Sequence, residues 1–429
     1  MRILLVSSRP ESHSANLGRD LMAALRLSGH EVDFVSHRWL DASATLSLNE
    51  KIRKRWQKTK NKFNHKFLKL RGHLQGHPLI KHSDIILTNM DETHPLTDTK
   101  EVLSQIKNDY DLVITLFWES MITSHTLKKL YTKLRCPILI YSVDMAPITG
   151  GCFYFMDCTN YQSSCGKCPI YSGVHEMDQT RRNWLYKSQV FNSIPCYFIG
   201  NHWMLSHAKK SKLFPEHRLK YALMPIDKER FAPLDTSAAR RRMRIGDKKR
   251  FVIFAGAAVI LEKRKGFTEL CQAVKIFSNS LTEEQKREAV ILFAGNIKNN
   301  LQSFFDIDVI QTGFLSTEEL ISAYSAADLF LSPSLSDAGP TMVNQSIMCG
   351  TPVVAFSVGI AHDIVKIGVS GYVAKMKDVD DFANGIRYIY DMVGTDEYRQ
   401  LRKNTRKIGE ETCSINAVSS QIEAIIREL

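Results

Sequence analysis

Two short stretches bring charge to points where an apolar run gives way to a new element. In Gly256–Gly266 (GAAVILEKRKG), an apolar run ends at Gly256, and Lys263, Arg264 and Lys265 follow just before a second glycine. Cations clustered at a strand-to-helix turn suit the neutralisation of a phosphate leaving group as charge develops on it. A solvated charge run is the plainer alternative. In Ser332–Phe356 (SPSLSDAGPTMVNQSIMCGTPVVAF), a strand ends at Ser332-Pro333, a polar loop holds Asp337 and Gly339, and a helix starts near Pro340-Thr341. A helix start offers free N–H groups and the positive end of a dipole to an anion. Asp337 is placed to accept hydrogen bonds from hydroxyls, and Gln345 lies one or two turns into the helix. An ordinary β-loop-α connection would look similar on spacing alone.

A third stretch, Asp144–Pro169 (DMAPITGGCFYFMDCTNYQSSCGKCP), follows an apolar run ending near Val143. Asp144 would stand at that strand's end, and Thr149-Gly150-Gly151 would let a backbone approach a ligand closely. Cys152, Cys158, Cys165 and Cys168 are spaced C-x5-C-x6-C-x2-C. Four thiolates suffice for a structural zinc site, and C-G-x-C is a common half-site. Free thiols, or a redox pair at Cys165 and Cys168, stay open. Asn16, Glu119 and His202 are positional candidates only, each just beyond an apolar run; a lone histidine is more often structural than catalytic.

The elements that must position these residues alternate strand and helix. Residues 3–7, 31–36, 112–118 and 137–143 read as strands in the first half, with helices over 16–27 and 123–134. In the second half 251–256, 289–295, 329–332 and 352–356 read as strands, with helices over 317–327 and 340–349. Apolar strands alternating with helices predict parallel sheets covered on both faces. A chain of 429 residues exceeds one core. The expected fold is therefore α/β, with two Rossmann-like doubly wound domains facing a cleft and ligands at the C-terminal strand ends. The expected division is 1–226, 227–405 around a hinge near Met224–Asp227, and a terminal segment 406–429 whose last helix packs back on the first domain.

Residues 41–83 interrupt the first domain. Between Lys51 and Arg71 there are ten Lys or Arg and no acidic residue. Ile52, Trp56, Phe63, Phe67 and Leu70 fall near a helical stripe, which suits a basic amphipathic helix on anionic lipid or a solvated helix covering the domain. The net charge of +12 favours anionic partners. No nucleic-acid module accompanies the charge, so nucleic acid is not the expected partner. No apolar run is long enough to span a bilayer and the first residues do not read as a signal peptide, so the expected location is cytoplasmic, with peripheral contact at the inner membrane face. Nine cysteines would then be thiols or metal ligands.

The Ser332–Phe356 segment resembles the signature of the family 4 (group 1) retaining glycosyltransferases of GT-B fold: P-S-x-x-E, seven residues, E, then a small residue and G-x-P-V-V. Here Pro333-Ser334-Leu335-Ser336-Asp337, Gln345 and Cys349-Gly350-Thr351-Pro352-Val353-Val354 stand at those places. The resemblance implies that Asp337 contacts the transferred sugar and Gln345 the nucleotide ribose, each replacing a glutamate. Asp keeps the carboxylate on a shorter stem; Gln keeps hydrogen bonding without charge. Lys265-Gly266 matches the family's Lys-Gly that holds the donor diphosphate. Ala257 or Ala258 stands at the family's arginine, so Lys263 or Arg264 would substitute. The donor set is then Gly256, Lys263, Arg264, Lys265, Gly339, Pro340, Thr341 and Gln345. Asp144–Pro169 resembles a motif of the polysaccharide-assembling branch, with Val143 and Phe153 at two of its histidines.

The resemblance thus implies a hexosyltransferase moving a sugar from a UDP- or GDP-linked donor, with retention, to a hydroxyl of a growing, lipid-linked surface polysaccharide such as capsule or exopolysaccharide. No cofactor is implied for catalysis. Asp337 and Asp144 are the catalytic candidates, and Asn16, Glu119, Thr149, Gly150 and His202 the acceptor-side ones. A catalytically weak GT-B binding or scaffold subunit and a nucleotide-sugar epimerase are the rival readings.

Overall fold

The computed structural model describes residues 1–9, 17–36, 86–87, 91–119, 121–171, 175–259, 262–295 and 300–429. The basic segment 51–71, nearly all that surrounds it, and Asn16 lie outside the described residues. The chain forms two units. The first comprises residues 1–200, 204–222 and 419–429, and the second residues 201–203 and 223–418.

In the first unit β1 (Arg2–Ser7), β2 (Glu31–Ser36), β4 (Leu112–Thr115), β5 (Ile138–Tyr141), β7 (Cys196–Gly200) and β8 (Leu219–Tyr221) form one sheet in the order β2-β1-β4-β5-β7-β8. Every pairing in it is parallel. A short antiparallel ribbon joins β3 (Ile86–Leu87) to β6 (Cys152–Tyr154). The central strands LVIT and ILIY are buried at all four positions, the mark of a sheet covered on both faces. The strand expected over 112–118 keeps its ladder only to Thr115. Beyond it Leu116 N donates to Val6 O and Ser8 N to Phe117 O, so the two strand ends stay side by side until the chain turns at Glu119.

The second sheet holds β9 (Phe251–Gly256), β10 (Ala289–Ala294), β11 (Asp308–Gly313), β12 (Leu329–Ser332), β13 (Val353–Phe356) and β14 (Gly371–Ala374), ordered β11-β10-β9-β12-β13-β14 and wholly parallel. The chain winds outward from β9 through β10 to β11, then returns to the other side of β9 at β12. Such a reversal sends the loops after β9 and β12 in opposite directions and opens a crevice between them. Below it, Phe254 meets Tyr324 edge-on at 5.1 Å and Phe330 at 5.6 Å. Aromatic pairs of this kind add about 0.5–1.5 kcal/mol each beyond their buried area.

The terminal helix is Ile415–Ile426, and residues 419–429 belong to the first unit. Ser419 hydrogen-bonds Ser28 at 2.6 Å, and Glu423 meets the His30 ring at 2.5 Å.

One buried cation organises the loop after β5. Lys187, on the helix Gln179–Ser193, has no exposed side-chain surface, and neither has its partner Glu92, 3.3 Å away. The ammonium donates to Ala146 O at 2.6 Å and Thr149 O at 2.8 Å. Glu92 in turn accepts from Ser124 N and Ser124 Oγ. Removing one member of such a pair leaves the other charged and unpaired. Lys187→Met should therefore lower unfolding free energy by about 3–5 kcal/mol in a urea titration. A loss below about 1 kcal/mol would show that the loop does not depend on this ammonium.

Candidate functional site

The crevice in the second unit is built by two loops that close on each other. Leu335 N donates to Arg264 O at 2.7 Å. Gly266 has φ +67°, and a Cβ there would sit 1.9 Å from Pro333 O, so only glycine lets the loops meet. Between them lies a cavity of about 260 Å³ lined by Gly256–Val259, Glu262, Arg264, Lys265, Ser332–Ser334 and Pro340–Met342, among others. The helix Thr341–Met348 starts at its edge, with Pro340 in the capping place. The expected residues Gly256, Arg264, Lys265, Pro340 and Thr341 are thus brought together.

Asp337 is buried and bound to the cations. Its Oδ2 accepts from Lys265 Nζ at 2.5 Å and Arg264 Nη1 at 3.0 Å, while Oδ1 accepts from Gly339 N at 3.3 Å. Arg264 Nε also lies 2.7 Å from Glu262 Oε2, a carboxylate the sequence reading did not single out. Burial pushes the Asp337 carboxyl up, but Lys265 and Arg264 more than reverse this, and it sits below the usual carboxylate range. Lys263 does not line the cavity, and neither does Gln345. Gln345 is buried in the core, its Oε1 accepting from the Tyr324 hydroxyl at 3.1 Å. Gln345 is thus not among the expected residues that the structure brings to the cavity.

The strand ends beside the crevice carry a further group without an obvious sequence signal. Gly313 is paired in register with Ala294, which pairs with Gly256. Gly295 has φ +141°, and a Cβ there would meet Ala257 O at 2.3 Å. Gly256, Gly295 and Gly313, with the small Ala294 among them, form a glycine floor at the strand ends from β9 to β11, and Phe314 beyond it is 77% exposed.

In the first unit the reversal falls between β1 and β4. Arg9, just after β1, pairs with Glu119, just after β4, at 3.1 Å and lies over the Phe117 ring at 4.5 Å. Asp144, after β5, is buried; its Oδ1 accepts from Ala146 N at 2.8 Å and its carbonyl from Ser142 Oγ at 2.6 Å. Burial raises its carboxyl to about 7, against partial relief from the Ala146 N–H, Arg9 and Lys187.

Thr149 and Gly150 make contacts within their own unit. Thr149 Oγ1 accepts from Cys152 N and donates to Cys152 O, and a Cβ on Gly150 would meet Thr180 O at 2.3 Å. The close approach this glycine permits is to the chain's own helix Gln179–Ser193. His202 groups with the second unit and bonds to Asp363. Among the described residues no three His, Cys, Asp or Glu side chains are gathered as a metal ion would need, although Cys152, Cys158, Cys165 and Cys168 lie near enough to raise one another's pKa. Cys152, Cys158, Cys165 and Cys168 are free thiols, each raised above the ordinary value mainly by burial. Cys165 Sγ instead accepts from Gly150 N at 3.2 Å.

These loops and strands can be set beside known proteins. Residues 235–408 match the family of glycosyl transferases group 1. The matched stretch contains both loops of the crevice. The chain is 26% identical over 175 residues to a D-inositol 3-phosphate glycosyltransferase of Geodermatophilus obscurus, covering 38% of each. It is 27% identical over 252 residues to the sulfoquinovosyl transferase SQD2 of Arabidopsis thaliana, covering 57% of this chain and 46% of that one. In neither case does the chain span half of the relative's length. Among solved structures, sucrose-phosphate synthase from Thermosynechococcus elongatus superposes with TM-score 0.64 at 17% identity, covering 100% of this chain and 98% of that one. Anabaena HepE in complex with UDP and glucose does so with TM-score 0.57 at 13% identity, covering 100% of both. The fold is the two-domain α/β GT-B fold that these structures share. Among the described residues no helix is long and apolar enough to cross a membrane.

The Asp144 carboxyl yields a pH test. Its ordinary value is 3.8 and its folded value about 7, so between these the folded state keeps a proton that the unfolded state releases. Stability should fall as pH rises from about 4 to about 7, and Asp144→Asn should flatten that fall in urea titrations. Parallel pH curves for the two proteins would contradict the assignment.

Proposed function

We propose that this chain is a glycosyltransferase that moves a sugar from a nucleoside-diphosphate donor to an acceptor hydroxyl. The observation that carries the reading is the crevice at the reversal point of the second sheet. There two largely buried cations and a helix start converge on one cavity, inside the stretch that matches the group 1 family. The diphosphate lies against Arg264, Lys265 and the N–H groups at Thr341–Met342, which offset the charge that builds on the departing phosphate. The nucleoside crosses the glycine floor toward Phe314, whose exposed ring stacks on the base. The UDP complex of the structurally similar HepE supports a uridine donor, with GDP as the second candidate.

Retention of configuration suits a front-face displacement in which the departing phosphate takes the acceptor proton; the family 4 resemblance supports it. Asp144 and the Arg9–Glu119 pair serve the acceptor. A lipid-linked surface polysaccharide fits the resemblance of Asp144–Pro169 to the polysaccharide branch and the basic residues 51–71, which suit an anionic membrane face. One observation favours the rival reading of a weakly active binding subunit: Gln345 is committed to Tyr324. The rival predicts nucleotide binding without donor turnover.

The test is release of nucleoside diphosphate from UDP- and GDP-sugars, with and without lipid-linked glycan acceptors. Acceptor-dependent release is expected, and Lys265→Ala should cut it by about 100-fold with little change in melting temperature. Unchanged turnover would remove Lys265 from the site. Phe314→Ala should weaken UDP or GDP binding by roughly 5- to 30-fold and leave inorganic pyrophosphate unaffected. Equal losses for both ligands would show that the ring does not read the base.

A further inference from the structure

The crevice meant for an anion already holds one of the chain's own. Asp337 touches both Lys265 and Arg264 through a single oxygen, Oδ2, while the carboxylate, guanidinium and ammonium are each mostly buried. Glu262 Oε2 adds a second carboxylate 2.7 Å from Arg264 Nε. The four side chains Glu262, Arg264, Lys265 and Asp337 together are neutral, so the cavity offers a diphosphate little net charge while all these contacts persist. Two oxyanions competing for one ammonium repel each other, and at contact distance that repulsion is large in a partly buried site. Asp is one methylene shorter than Glu, which keeps its carboxylate near the loop that carries the cations.

We propose that Asp337 is a resident counter-anion that an incoming diphosphate displaces from Lys265, and that only the displaced carboxylate is free to accept hydrogen bonds from the donor sugar. This rests on the proposed donor site and adds a coupling to it. The carboxylate weakens the binding of any diphosphate and yet is needed for transfer. It therefore favours release of the nucleoside diphosphate product, because the carboxylate returns to its cations once the sugar has gone. Gly339 N, which bonds Oδ1, is the pivot that stays with the side chain in either position.

The experiment titrates inorganic pyrophosphate and UDP by calorimetry into the wild type and Asp337→Asn, with donor turnover measured on both. The variant should bind both ligands about 5-fold or more tighter, while turnover falls by at least about 10-fold. Equal or weaker binding by the variant overturns the proposal. Should Asp337→Asn not fold, the wild type carries its own test. A buried carboxyl displaced from Lys265 loses part of what holds it below the usual carboxylate range, so on the acid side it takes up protons as the ligand binds, and the binding heat should depend on the ionisation heat of the buffer. Buffer-independent heats there overturn it. If the wild type binds neither ligand, the donor site itself fails. If it binds UDP but the asparagine variant is no tighter, only the displacement fails.

Discussion

The meeting of two backbone loops at Gly266 and Pro333 is the constraint on which the second unit's site depends. With no room for a Cβ at Gly266, Lys265 and Arg264 are carried within reach of Asp337 rather than out into solvent. The sheet order creates the condition for that contact, since the chain reverses between β9 and β12 and leaves their C-terminal ends facing a shared crevice. Packing below the crevice holds the geometry. Phe254, Phe330 and Tyr324 form one aromatic cluster, and Tyr324 fixes the first turns of the helix Thr341–Met348 through Gln345. The chemistry at the top of the sheet is therefore tied to its core by a continuous set of contacts.

The first unit solves a related problem with a different device. Its loop after β5 is held from beneath by a buried ammonium, which spends its donors on the carbonyls of Ala146 and Thr149. That arrangement leaves Asp144 just beyond β5, buried and, among the described residues, without a direct cationic partner. Its carboxyl is consequently raised, whereas Asp337, equally buried but doubly paired, is lowered. The contrast between the two aspartates comes from partners and not from depth.

Much of this architecture was legible in the sequence because its strands are short, apolar and bounded by glycine. Phe251–Gly256 and Leu329–Ser332 fall where the pattern puts them. β7, β8, β11 and β14 were not read: LKY, DVIQTG and GYVA lie at sheet edges and are only partly buried, and CYFIG is a run of five residues directly after Pro195. Single residues were harder still. Lys265 and Asp337 were found through motif spacing, but their mutual ion pair is a tertiary contact that spacing does not encode. Gly150 was read as a close approach to a ligand, and the contact the structure shows is with a helix of its own unit. Gln345 was assigned by position in a motif, and its rotamer follows from Tyr324, which no motif contains. Phe314 carries no local signal except an exposed aromatic after a glycine, which only register across β9, β10 and β11 relates to the crevice.

The central claim is that a nucleoside diphosphate sits at the reversal point of the second sheet. Amide hydrogen exchange with and without UDP or GDP tests it most directly, because the claim concerns backbone N–H groups at defined loop ends. The account predicts added protection concentrated in residues 257–259, 262–265 and 335–342, with the first unit little changed. Protection elsewhere, or none at millimolar nucleotide, would contradict it.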